Sequence, residues 1–172
     1  AQALFTGIVT DSGRFRYDSV TAKTLATAAK LLEYDFSLNE VYSNLYIEEL
    51  KIVRLRAYFT LNFQLTPLGV AYMKNTAADI KNHDVDLFTI SRGMVNTMAG
   101  IKGIDIWANF TEDESTNTVI CELRSNQYNI NAVAAKYGGG GHQFASGATL
   151  KSFAEADLML QDLDNLIKEN SK

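Results

Sequence analysis

The chain has 172 residues, of which 47% are hydrophobic and 21% charged, and its formal net charge is −4. Such a composition supports a sizeable core and argues against wholesale disorder, while the acidic balance excludes a protein that coats long nucleic acid through a broad basic face. A short anionic ligand held by a few local donors stays compatible with it. The one cysteine, Cys121, lies in the apolar run Val119-Ile120-Cys121 and reads as a buried thiol, which suits a reducing cytoplasm. No apolar run approaches the roughly 18 residues that span a bilayer, and the expected location is cytoplasmic. The chain opens Ala1-Gln2-Ala3, with neither an initiator methionine nor a basic signal sequence, and reads as a processed product or an excised piece.

Residues Ala3 to Thr10 are small and apolar and run into the polar break Asp11-Ser12-Gly13, which ends a buried helix or strand. Helical spacing of Leu25, Ala28, Ala29, Leu31 and Leu32 predicts a helix within Thr21 to Tyr34. Ser37-Leu38-Asn39-Glu40 reads as a capping box before a second helix. Glu48 to Phe63 suits a helical connector. Beyond Pro67 a strand is expected over Leu68 to Met73, then a short helix near Thr76 to Asn82 and another around Leu87 to Met98. Ile104 to Phe110 and Thr118 to Leu123, with turn residues Asp113 to Asn117 between them, predict a hairpin. A short helix over Asn131 to Tyr137, a strand over Ala148 to Leu150 and an amphipathic helix over Glu155 to Lys168 complete the pattern. The fold class expected is α/β, a mixed sheet flanked by helices and preceded by a smaller helical piece.

The strongest chemical signal is Gly138-Gly139-Gly140-Gly141-His142, followed by Ala145-Ser146-Gly147. An ordered glycine run is entropically costly, so it suggests close approach of another group, such as a ligand backbone. Successive glycine N–H groups form a nest for phosphate oxygens, a helix starting near His142 would add donors, and His142 adds a directed hydrogen bond. The competing reading is a flexible linker, disfavoured by the closely flanking apolar segments. Arg124-Ser125-Asn126, at the end of a strand, supplies a guanidinium fork and a hydroxyl as a second wall. Arg92, in Ser91-Arg92-Gly93, reads equally as a third basic contribution or as a solvated helix face. Asp11 stands where a metal-binding carboxylate often does, although by spacing alone it reads as a helix-terminating aspartate.

These residues resemble a known family. The segment Tyr137 to Ala148, YGGGGHQFASGA, resembles the GGGH and A-S-G signature of the DHH-associated C-terminal domain, and LRSN with NINAVAAKYGGGGH extends the likeness upstream. Thr6 to Tyr17, TGIVTDSGRFRY, is similar to the last block of the DHH catalytic domain, in which an aspartate binds divalent metal. The resemblance implies a C-terminal remnant of the catalytic domain over 1–47, a connector over 48–63 and the nucleotide-binding domain over 64–172. It implies a two-manganese (Mn2+) phosphodiesterase in the fuller protein, a hydrolase acting on short oligoribonucleotides or 3′-phosphoadenosine 5′-phosphate (pAp). Asp11 would be a metal ligand, Arg124 and Ser125 would grip a phosphate, and Gly139, Gly140, Gly141 and His142 would cradle the terminal nucleotide. The partner expected is short RNA or a mono- or dinucleotide, with no membrane, and a homodimer is compatible with the reading. The N-terminal blocks with the Asp-His-His motif are absent from this sequence, so catalysis by these residues alone is not expected. Gln143 replaces the proline that often follows the histidine. A cyclic-dinucleotide phosphodiesterase and a non-catalytic RNA-binding module, of the kind found beside alanyl-tRNA synthetase catalytic regions, remain the alternatives.

Overall fold

A computed structural model describes residues 1–170, and the chain divides into two compact units, Ala1–Glu49 and Leu50–Lys172. The first unit is three helices, α1 (Gln2–Asp11), α2 (Ala22–Leu31) and α3 (Leu38–Leu45). Thr21 and Thr24 cap the start of α2 reciprocally, and the Ser37 side chain accepts from the Glu40 N–H at the start of α3. The core of this unit is small: Phe5, Val9, Ala28 and Val41 are buried, with Phe15, Leu31, Phe36, Tyr42 and Leu45 packed around them.

The second unit is built on a six-stranded mixed sheet. Its strands are β1 (Gln64–Leu65), β2 (Ala71–Asn75), β3 (Ile106–Asp113), β4 (Thr118–Ser125), β5 (Gly140–His142) and β6 (Ala145–Leu150), in the order β1-β2-β3-β4-β6-β5. β2 and β3 are parallel and every other pair is antiparallel. The strand expected over Leu68 to Met73 begins at Ala71. Pro67, Leu68 and Gly69 instead form a turn, in which the Gly69 N–H donates to Thr66 O and Gly69 takes φ +91°.

Strand alternation sends two sets of side chains to two cores. Ile106, Ala108 and Phe110 of β3 and Val119, Cys121 and Leu123 of β4 join helices α6 (Asn131–Lys136) and α7 (Phe153–Asn170) on one face. On the other face Ala71, Met73 and Trp107 pack with Leu55 and Phe59 of α4 (Leu50–Asn62). The segment expected as a connector is thus a core helix of the second unit. α5 (Ala77–Asn82) matches the predicted short helix.

The helix expected over Leu87 to Met98 is helical but irregular, a π-helical turn at Thr89–Gly93 followed by a 3₁₀ turn at Val95–Met98. The cause is visible in β3. Buried Asn109 donates its side-chain amide to Ile90 O at 2.7 Å and to Ser91 O at 2.6 Å, taking carbonyls that a regular helix would use internally. Asn75 in turn donates to Asn109 Oδ1 and Thr111 Oγ1, so this polar cluster links the sheet to the π turn. Among the described residues no helix is long and apolar enough to cross a membrane.

Candidate nucleotide site

From β4 to β5 the sheet face that carries Trp107 is only partly covered by helices. Register fixes what it displays, because directly paired residues share a face. One row runs Trp107, Arg124, Ala145, His142 across β3, β4, β6 and β5, and the next runs Asn109, Glu122, Gly147, Gly140. Arg124 and His142 stand two strands apart, roughly 10 Å by strand spacing, with the small residues Ala145 and Gly147 between them. Around the row of Glu122, Gly147 and Gly140, next to the row of Arg124, Ala145 and His142, lies a shallow depression of roughly 440 Å3, lined by Ile120, Glu122, Gly139, Gly140, Gly147 and Thr149 among others.

The glycine run is ordered here as a strand edge. The helix expected to start near His142 is absent: His142 ends β5, and Gln143 and Phe144 turn the chain into β6. The reason lies in packing between β5 and β6. A Cβ on Gly139 would overlap the Gly147 carbonyl oxygen and Ala148, and one on Gly141 would lie 2.6 Å from Ala145 O. Gly138 takes φ +72° at the exit from α6. Gly140 differs from all three, since its φ is ordinary and a Cβ there meets nothing within 4 Å. The fold itself explains three of the four glycines; the fourth leaves the depression open.

Arg124 is largely buried and held along its own strand. Its Nη1 donates to Leu123 O at 2.7 Å and lies 3.0 Å from Glu122 Oε2. Ser125 falls on the opposite strand face. Its buried hydroxyl accepts from the backbone N–H groups of Gln127 (3.2 Å) and Tyr128 (2.8 Å), so it shapes the turn that follows β4. Arg92 is exposed on the π turn, which packs against β3 and β4. The His142 backbone carbonyl accepts from the Ser146 hydroxyl at 2.7 Å, while its side chain is exposed at the sheet edge. Tyr137, just before the run, donates to Asp162 Oδ2 at 2.9 Å; burial and this bond push its pKa up to about 12.

Asp11 is exposed at the end of α1. Beyond it Ser12 is buried, donating to Ile8 O at 2.6 Å and accepting from the Phe15 N–H, and Gly13, Arg14 and Phe15 follow with φ of 55°, 64° and 60°. Among the described residues no three His, Cys, Asp or Glu side chains come together in a way that would hold a metal ion. By themselves the described residues therefore do not complete a manganese site, Asp11 being a single carboxylate.

Sequence reasoning missed Glu122. Its signal was the period of two in Glu122-Leu123-Arg124, which sets the carboxylate beside the guanidinium on one strand face.

The DHHA1 domain family model matches residues 78–169 of this chain. The bifunctional oligoribonuclease and PAP phosphatase NrnA of Bacillus subtilis is 38% identical, over 99% of this chain and 53% of that protein. The protein of the same name from Mycoplasma pneumoniae is 36% identical, over 97% of this chain and 50% of its own length. The chain thus spans about half the length of the curated relatives it matches. In structure it is similar to an exopolyphosphatase-related protein from Bacteroides fragilis, with a TM-score of 0.81, 25% identity and coverage of 97% of this chain and 51% of the other. A pGpG-specific phosphodiesterase from Vibrio cholerae shares the fold at a TM-score of 0.51 and 13% identity, over 96% of this chain and 55% of that one. The chain belongs to the DHH family and carries its C-terminal DHHA1 domain.

Proposed function

We propose that this chain supplies nucleotide binding to a phosphodiesterase that hydrolyses short oligoribonucleotides and pAp, with the depression beside Gly140 as the binding site. The observation that carries the reading is Gly140 itself. Its lack of a side chain serves no internal contact, yet it faces the same side as Arg124 and His142 across a floor of Ala145 and Gly147. The guanidinium and the imidazole of the adjoining row, on the same sheet face, suit a phosphate and a neighbouring polar group, and the small residues between them admit a sugar or a base edge. The names borne by the relatives from B. subtilis and M. pneumoniae support the choice of ligand. Arg124, Gly140 and His142 are the contact residues in this proposal; Ser125, Gly139 and Gly141 hold the strands that present them, and Arg92 is exposed on the π turn that packs against β3 and β4. Asp11 enters as one carboxylate of a divalent-metal site needing further donors, so the role assigned to these residues is binding.

Calorimetric titration with pAp and with the dinucleotide pApA tests the proposal. Loss of one charge-assisted hydrogen bond predicts that Arg124→Ala weakens binding by about tenfold or more. Gly140→Val, which sets a branched side chain into the depression, should abolish binding while leaving the melting temperature unchanged. Full affinity in both folded variants would place the nucleotide elsewhere.

A further inference from the structure

Glu122 has no part in the phosphate grip described above, yet its side chain, 19% exposed, lines the same depression. Its Oε2 faces Arg124 Nη1 at 3.0 Å. Among the described residues Oε1 receives no hydrogen bond from the protein, and the neighbouring Asn109 amide is already committed to Ile90 O and Ser91 O. Arg124 Nη1 is likewise committed, to Leu123 O and Glu122, while its Nε and Nη2 donate to no protein acceptor among the described residues. The pair therefore presents free guanidinium donors and a free carboxylate acceptor side by side, with almost no net charge. A bare anion would satisfy only the first and be repelled by the second. A ligand that carries a phosphate with a hydroxyl next to it satisfies both.

We infer that Glu122 is a specificity-determining residue that selects ribonucleotides over deoxyribonucleotides by accepting a hydrogen bond from the ribose 2′-hydroxyl beside the phosphate held by Arg124. A ribose carries that hydroxyl on the carbon next to the one bearing the 3′-phosphate, which matches an acceptor set next to a cation on the same strand face. This rests on the nucleotide reading of the depression and adds the choice of sugar.

The test is titration of the whole chain with pApA and with its 2′-deoxy counterpart. The unsubstituted protein should prefer the ribonucleotide by about tenfold or more, the worth of one hydrogen bond to a charged acceptor. In Glu122→Ala the ratio should collapse towards one, with affinity for the deoxy ligand held or raised because Arg124 loses its competing carboxylate. If Glu122 only held Arg124 in place, both ligands would weaken together and the ratio would persist, and that result overturns the inference. A ratio near one in the unsubstituted protein also overturns it while leaving the nucleotide site standing. Binding of neither ligand by the unsubstituted protein removes both.

Discussion

Gly139 and Gly140 are adjacent and chemically identical, yet the structure assigns them opposite burdens. Gly139→Ala forces a Cβ into the Gly147 carbonyl and Ala148, so β5 must shift from β6 at a cost of about 1–3 kcal/mol, readable as a lowered denaturation midpoint. Gly140→Ala adds a methyl to open space and should change stability by no more than about 0.5 kcal/mol. Tyr137 offers a pH test at the same scale. Burial and the bond to Asp162 raise its pKa from the ordinary 10 to about 12, so the neutral phenol is favoured in the folded state. The associated stability is present below pH 10 and is lost as pH rises towards 12. Thermal melts across that window should show a shallower decline for Tyr137→Phe than for the unsubstituted protein. The glycine run was legible in the sequence as a place of close approach, but the approaching group for Gly139 and Gly141 proved to be the neighbouring strand. Local sequence carries no record of which strand pairs with which.

Among the elements, the β3–β4 hairpin was readable because β-branched and aromatic residues flank a run of turn residues, and both strands formed a little longer than expected. The π turn was not readable, since it depends on Asn109, distant in sequence, reaching Ile90 and Ser91. Helix α4 shows the same limit. Its mixed charge and weak apolar stripe suggested a connector, whereas Leu55 and Phe59 are 1% and 0% exposed in a core completed by Met73, Ile90 and Trp107. Leu55→Ala should therefore cost about 2–5 kcal/mol in chemical denaturation. A solvated linker would show almost no change.

At the scale of the whole molecule, the two units carry very different amounts of core. The first has four buried apolar residues in 49, whereas the second closes two cores over the faces of one sheet. Short segments bury a small fraction of their surface and are marginal alone, while a piece of more than a hundred residues with a continuous core is within the range of an independent domain. Tyr46, Ile47, Glu48 and Glu49 lie between α3 and α4 in exposed, non-helical chain, a conformation that a protease can engage. Limited proteolysis should cut there first. The fragment from Leu50 onward should then unfold cooperatively with its own melting transition, and it should keep the nucleotide affinity of the whole chain, because Arg124, Gly140 and His142 all lie within it. The fragment ending at Glu49 should show no cooperative transition by itself. Retained cooperativity without retained affinity would mean that the depression beside Gly140 is not by itself the nucleotide site.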